Sequence, residues 1–493
     1  MDSGIEHRLH IAGEDVEARG GATIPSIDPA RGEIWASIAS AAAADVDDAV
    51  RAAHNAHVSA AWTSLSPTRR GRLLMRLGDL VVEHVEEIAR LESTDNGKLY
   101  RESVAQIGSV ADWLYYFGGL ADKIEGSVVP LERQSVLNYT LRESVGVVGI
   151  ITPWNTPTLL AMMAAAPAIA AGNCVVLKPS EVASIGTLRV AQLAREAGFP
   201  PGVLNVVTGG PATGDALVEH PDVAKISFTG GTETGRAIAA KASTRLARSV
   251  LELGGKSPNI VFADCDLQAA VAGVLAGIFS ASGQSCIAGS RALVERSIYS
   301  DVVEALARGA QGLRIGDPFD PATQMGPLAT ANHLERVDGL VARARGAGAT
   351  ALAGGGPATV PGLPGGYFYE PTVLADVAPE AEIVCEEVFG PVLTVMPFDD
   401  EPNAIELANA TRYGLAAGIW TLDVRRAHRV ARQLQAGTVW INRYRGLVPQ
   451  SPFGGYKASG VGRANGIAAV EEYLQTKSVW CELSDEMDPF LRT

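Results

Sequence analysis

The stretch Val145-Gly146-Val147-Val148-Gly149-Ile150-Ile151-Thr152-Pro153-Trp154-Asn155-Thr156-Pro157 decides how the chain is read. Its first seven residues are apolar with no polar alternation, the pattern of a strand buried on both faces. A loop stiffened by Pro153 and Pro157 follows. The same texture recurs downstream, with strand-like runs at 174–177, 203–207, 224–228, 249–251 and 259–262, and amphipathic helical stretches such as 185–197 and 234–242 between them. Apolar strands alternating with helices predict a parallel sheet covered on both faces, with ligands bound at the carboxyl ends of its strands. The fold class is α/β. A second alternation, with helices at 267–279, 297–309 and 333–346 and strands at 292–294, 350–353, 393–397 and 418–420, predicts a second α/β domain. The boundary falls near Gly254-Gly255. Upstream, the first forty residues read as short strands and turns. Residues 44–61 and 67–92 read as helices, with Asn96-Gly97 as the stop.

A chain of 493 residues has room for two or three such units. With 47% hydrophobic and 19% charged residues it has the composition of a folded chain. The formal charge of −14 argues against nucleic acid or an anionic membrane as a partner. The most apolar segment, 150–171, is broken by Pro153, Asn155, Pro157 and Pro167, so a core segment is expected rather than a membrane span. The stretch 1–7 carries neither a basic region nor an apolar run, so no secretory leader is read and a cytoplasmic location is expected. Five cysteines (Cys174, Cys265, Cys286, Cys385 and Cys481) are an odd set without a CxxC pair, which predicts free thiols and no zinc site. His54 and His57 share a helix face but lack a third ligand beside them, so no metal site is expected.

The residues that carry chemistry cluster at predicted strand and helix ends. Cys286 lies in Ser282-Gly283-Gln284-Ser285-Cys286-Ile287-Ala288-Gly289-Ser290, small residues that suit an accessible thiol near backbone N–H groups. Glu252 ends an apolar strand between two leucines, where desolvation raises a carboxylate toward the range of a general base. Asn155 sits in the proline-braced loop and is a candidate oxyanion donor. Lys178 and Glu181 follow another strand and offer partners for ribose oxygens. The loops 208–214, ending at Gly214, and 229–235, with Gly230 and Gly231, each close a strand and open a helix, as phosphate sites do. Each feature also has a plain structural reading: a filler cysteine, a glutamate paired with Lys256, a turn asparagine, a solvated charge pair.

Jointly, these segments resemble the aldehyde dehydrogenase superfamily. The resemblance is carried by Pro153-Trp154-Asn155, Lys178-Pro179-Ser180-Glu181, Phe228-Thr229-Gly230, Leu251-Glu252-Leu253-Gly254-Gly255-Lys256-Ser257-Pro258-Asn259, Gly283-Gln284-Ser285-Cys286, Glu386-Glu387-Val388-Phe389-Gly390-Pro391 and Ser451-Pro452-Phe453-Gly454-Gly455-Tyr456-Lys457, in the family's order along essentially the whole chain. It implies a Rossmann-like NAD-binding domain over 1–122 and 144–254, and a catalytic domain over 255–455. It also implies a small β element over 123–143 and 456–493 that makes a homodimer or homotetramer. The implied activity is NAD(P)-dependent oxidation of an aldehyde to the carboxylic acid. In it Cys286 is the nucleophile, Glu252 the base for water, and Asn155 with the Cys286 N–H the oxyanion hole. Lys178 and Glu181 would hold the adenosine ribose, and Glu387 the nicotinamide ribose. Phe389 and Trp154 would line the nicotinamide cleft.

Relatives that transfer the acyl group to a coenzyme A thiol typically lack the strand glutamate, so Glu252 implies hydrolysis. Gly231 stands where the family often has serine, leaving a backbone amide to meet the pyrophosphate. The Glu181 carboxylate would repel a 2′-phosphate, so NAD is expected over NADP. The substrate tunnel is expected beside Thr156, Leu160, Met163, Ser280 and Phe453. The loop 442–450 is expected at its border, with Arg443 and Arg445 as candidate binders of a substrate carboxylate. Two rivals remain at this stage. A cysteine hydrolase or acyltransferase would need histidine beside its thiol, and no histidine falls in these motifs. A non-catalytic scaffold would be expected to lack Cys286 or Glu252.

Overall fold

The strand Val147–Thr152 is buried at every position and lies inside an eight-stranded sheet. The computed structural model describes residues 6–485; Met1–Ile5, part of the leader reading, and residues 486–493, the end of the proposed C-terminal element, lie outside them. Five strands of this sheet run parallel: Arg248–Glu252, Val223–Thr229, Val147–Thr152, Cys174–Pro179 and Leu204–Val206. Antiparallel strands flank them, Gly460–Val461 on one edge and Leu9–Ile11 with Glu14–Val16 on the other. Register decides what this sheet presents. Thr229 pairs with Glu252, Ile151 with both Phe228 and Lys178, and Thr152 with Pro179. The residues leaving these strands therefore emerge together along one sheet edge.

The second sheet has seven strands in the order Thr350–Ala353, Thr372–Ala375, Val392–Phe398, Arg291–Glu295, Pro258–Val261, Ala416–Trp420 and Thr438–Ile441. All its pairs are parallel except that of Thr350–Ala353 with Thr372–Ala375. The run read at 259–262 with the first alternation belongs here, because the chain crosses between sheets at 253–257.

The proline-interrupted segment forms the helix Pro157–Ala170. Pro157 occupies its first turn, where no N–H is needed, and nearly every side chain is buried. The helix read at 67–92 is two, Pro67–Glu83 and Val85–Asn96, because His84 leaves helical geometry. Gly97 ends the second at φ 75°, and a Cβ there would sit 2.6 Å from Pro327 and 2.8 Å from Pro29, so only glycine fits. A third sheet joins Val128–Val129 and Val136–Ser144 to Leu474–Glu482, all antiparallel, with Val128 and Trp480 exposed. No helix among the described residues is long and apolar enough to cross a membrane.

Fully buried Asn173 ties these parts together. Its Oδ1 accepts from the N–H groups of Val145 (2.8 Å) and Gly146 (3.0 Å), and its Nδ2 donates to the carbonyls of Ala168 (2.9 Å) and Tyr473 (3.0 Å). Asn173→Ala strands the N–H groups of Val145 and Gly146 and the Tyr473 carbonyl, while Ala168 O keeps the N–H of residue 173, and it is expected to lower the melting temperature by about 5 °C. An unchanged melting curve would remove this residue from the account.

Candidate active site

Glu252 is the last residue of its strand and is buried, and both carboxylate oxygens lack a hydrogen-bond partner. Burial raises its pKa well above an ordinary carboxylate, the Arg463 charge and the Ala464 backbone N–H oppose this, and the nearby Glu472 charge adds to it. The next three residues, Leu253-Gly254-Gly255, lead into the crossing between sheets. A Cβ on Gly255 would lie 2.4 Å from the carbonyl oxygen of Cys286, and one on Gly254 would lie 2.2 Å from Glu387 Oε2. Two absent side chains thus let the Cys286 loop and Glu387 close onto the strand end that carries Glu252.

Cys286 follows the helix Leu267–Phe279 through a tight turn in which Ala281, Ser282 and Gly283 all have positive φ. Only glycine fits at position 283, because a Cβ would meet Gly390 O at 2.1 Å. The Gln284 side chain anchors the turn by accepting from the Ala329 N–H at 2.9 Å. Burial, and then the charges of Glu387 and Glu252, push the Cys286 thiol up to about 12, while the Ile287 amide pulls the other way. The free thiol is therefore protonated at neutral pH.

The Asn155 side chain donates from Nδ2 to Gln284 O at 2.9 Å. A carbonyl accepts only from the NH2 end, so this contact fixes the amide orientation and leaves the second N–H available. The loop is held by Asn96, read from sequence as part of a helix stop, and by Glu92 and Lys98, which the sequence did not single out. Asn96 Nδ2 donates to Trp154 O (3.0 Å), Lys98 Nζ donates to Thr156 Oγ1 (3.2 Å), and the Thr158 N–H donates to Glu92 Oε2 (3.3 Å). The buried Lys98 ammonium lies 3.7 Å from Glu92.

Asn155, Glu252 and Cys286 line one cavity of 360 Å³, together with Trp154, Leu160, Gly230, Gly231, Glu387 and Phe389. Trp154 meets Phe389 edge-on at 5.4 Å, and Phe389 itself has φ 60°. His333 also lines this cavity, which its sequence context did not indicate. Its Nε2–H donates to Phe389 O at 2.7 Å, and burial lowers its pKa to about 4, so it is neutral and committed. Glu387 Oε1 accepts from the Gly255 N–H at 3.0 Å; burial raises its pKa to about 7 against the pull of that amide and of Arg336 and Lys256.

A second cavity of 310 Å³ shares Pro153, Thr229 and Gly230 with the first and is lined by Lys178, Glu181 and Gly214. The helices Pro211–Glu219 and Thr232–Ser243 start beside it, capped by Gly210 and Gly231 without side-chain hydrogen bonds. A Cβ on Gly231 would have no neighbour within 4 Å, so the space beside that helix start is open. Uncapped helix starts suit pyrophosphate, and Lys178 with Glu181, 3.4 Å apart, suits a ribose. The two joined cavities fit an extended dinucleotide.

The remaining candidates divide. Leu160 lines the first cavity. Met163 and Phe453 are buried in the core, and the Thr156 hydroxyl is taken up by Lys98. Ser280 turns its hydroxyl back to Ala276 O (2.8 Å) and offers its carbonyl to Arg445 Nη2 (3.3 Å). Arg443 is exposed and donates to the Arg445 carbonyl, so it is not brought to the site. No group of three or more potential metal ligands occurs among the described residues, and all five cysteines are free.

A model of the aldehyde dehydrogenase family matches residues 16–479. The chain is 45% identical to (Z)-2-((N-methylformamido)methylene)-5-hydroxybutyrolactone dehydrogenase of Acinetobacter baylyi, covering 99% of both chains. It is also 45% identical to a betaine aldehyde dehydrogenase of Cereibacter sphaeroides, over 97% of this chain and 98% of that one. Its structure resembles that of the aldehyde dehydrogenase of Bacillus cereus in complex with NAD+, with a TM-score of 0.95 at 43% identity over 98% and 97% of the two chains.

The raised thiol has a direct consequence. Alkylation of Cys286 by iodoacetamide in the ligand-free protein is expected to be slow at pH 7 and to keep accelerating beyond about pH 8.5, where an ordinary thiol is half ionised. A rate that levels off below that value would contradict the electrostatic description of the site.

Proposed function

The chain belongs to the aldehyde dehydrogenase family, an NAD-binding oxidoreductase, and from that premise we propose that it oxidises its aldehyde to the free carboxylic acid through an acyl group held on Cys286. The observation that carries this reading is the single cavity on which the Cys286 thiol, the Asn155 amide and the unpartnered Glu252 carboxylate converge. The Cys286 thiol passes its proton to the unpartnered Glu252 carboxylate as Sγ bonds to the aldehyde carbon and the carbonyl π electrons move to oxygen; Glu252 releases that proton to solvent before it acts again. That oxyanion accepts from the free Asn155 N–H and from the Cys286 backbone N–H. NAD held by Lys178, Glu181 and Glu387 would supply the acceptor for the hydride whose loss from the carbon leaves a thioester on Cys286. Glu252 then takes a proton from water, which adds to the thioester carbon, and the thiolate departs. Because burial raises Glu252, its ionised, basic form grows as pH rises through its pKa, and thioester hydrolysis accelerates with it.

The Lys178–Glu181 pair and the glycine-capped helix starts are assigned to NAD, with Glu387 and Phe389 at its nicotinamide end. The preference for NAD over NADP rests on the Glu181 carboxylate, which Lys178 only partly offsets at 3.4 Å. The proposed division is 1–122 with 144–254, 255–455, and 123–143 with 456–493; the two large sheets and the antiparallel sheet of 136–144 with 474–482 support it, although Gly460–Val461 joins the first sheet. The third sheet, with Val128 and Trp480 exposed, is the proposed surface of a homodimer or homotetramer. The free cysteines support a cytoplasmic location.

Cys286→Ala is expected to reduce aldehyde oxidation at least about a thousandfold while leaving NAD affinity unchanged. Glu252→Gln is expected to give a burst of NADH followed by a slow steady state; residual Cys286→Ala turnover within tenfold of wild type would sink the assignment. For the cofactor, kcat/KM is expected to favour NAD, and Glu181→Gln to narrow the ratio. Equal use of NAD and NADP by the wild type would show that Lys178 and its loop dominate.

A further inference from the structure

Arg445 sits in the loop that follows the strand Thr438–Ile441, with φ 64°, a left-handed backbone that costs energy for an arginine. The turn directs its side chain inward. Exposed Arg443, two residues earlier, donates to the Arg445 carbonyl at 3.3 Å and braces the turn from outside. Tyr444, between them, donates to Ile287 O at 3.0 Å, which fixes this loop to the residue after Cys286. Arg445 therefore lies against the Cys286 loop, yet it is not among the residues lining the cavity shared with Trp154, Glu387 and Phe389.

The guanidinium is poorly satisfied. Nη2 donates to Ser280 O at 3.3 Å, Nε is buried without a partner, and Arg445 makes no salt bridge among the described residues. A guanidinium has five N–H donors and keeps its charge, so the buried, partnerless Nε of this half-buried side chain is costly unless a ligand occupies it. The charges around it do not fill that role. The Glu92 carboxylate lies beside the Lys98 ammonium. Glu102 lies nearest Arg445 in charge terms. Its Oε1 accepts from the Ala281 N–H at 3.3 Å, and Oε2 is left without a partner rather than closing onto the arginine.

We propose that the substrate carries, at the end away from its aldehyde, a carboxylate or comparable anionic oxygen group, and that Arg445 binds it. The assignment rests on Cys286 as the nucleophile. The planar fork of the guanidinium matches two carboxylate oxygens, and it is held at Ser280, six residues before Cys286, by a loop that Tyr444 ties to the residue after the nucleophile. An aldehyde bearing a quaternary ammonium would instead bring a like charge to a partly desolvated cation.

The test compares a series of straight-chain semialdehyde acids with the uncharged aldehydes of equal length, and with a trimethylammonium aldehyde. In the wild type, the best acid is expected to exceed its uncharged counterpart at least about tenfold in kcat/KM, with the trimethylammonium aldehyde poorest. Arg445→Met is expected to bring the acid-to-uncharged ratio to about one, and Arg445→Lys to retain part of the advantage. Equal kcat/KM for acids and uncharged aldehydes in the wild type overturns the proposal whether or not the variants fold. Failure to oxidise any aldehyde in the series would instead overturn the reading of Cys286.

Discussion

The close approach permitted by Gly254 and Gly255 is the constraint on which the site depends. These two residues link the parallel sheet that ends at Glu252 to the sheet that begins at Pro258. Any side chain on either would collide, at 2.4 Å with the Cys286 carbonyl or at 2.2 Å with the Glu387 carboxylate. Only with both side chains absent can a carboxylate from one sheet, a thiol loop from the region between sheets and a glutamate from a later loop meet in one cavity. The register of the first sheet does the complementary work by delivering Thr229, Glu252, the Pro153 loop and Lys178 to the same edge.

Bringing these groups together has an electrostatic cost that the chemistry uses. Glu252 and Cys286 are both buried, and the Glu252 charge adds to the forces that keep the thiol protonated. An elevated carboxylate is a stronger base, and an unpartnered one is free to hold a water. The opposite treatment is given to Asn155, whose amide is fixed by Gln284 and whose loop is clamped by Asn96, Lys98 and Glu92. A donor for a developing oxyanion gains from rigidity, since it then need not reorganise as charge appears. The site thus combines a restrained donor with under-satisfied acid and base groups.

Much of this was legible in the sequence because strand ends, glycines and prolines act locally. The runs at 145–151, 174–177 and 224–228 anticipate strands that differ by only a residue or two at their ends. Cys286, Glu252, Asn155, Lys178 and Glu181 stood out as polar residues at such ends, and the structure gathers them along one cleft. What was not legible depends on contacts between distant segments. Lys98 and Glu92 lie in what reads as an ordinary helix end, and nothing local says that they grip a loop some sixty residues on. His333 reads as a surface position at a helix start, yet it packs against Trp154 at 5.5 Å. Arg443 and Arg445 look equivalent in sequence, and only the positive φ at Arg445 separates an inward from an outward side chain. The core positions of Met163 and Phe453 reflect packing against the first sheet, which a local pattern does not distinguish from the wall of a tunnel.

The central claim is that one thiol holds the acyl group and one carboxylate releases it. Intact-protein and peptide mass spectrometry of Glu252→Gln, quenched in acid after mixing with NAD and an aldehyde, tests this most directly. The account predicts a mass increase equal to the acyl group of that aldehyde, confined to the peptide containing Cys286 and absent without NAD. An acyl group on any other cysteine, or none on Cys286 while NADH has formed, would contradict it.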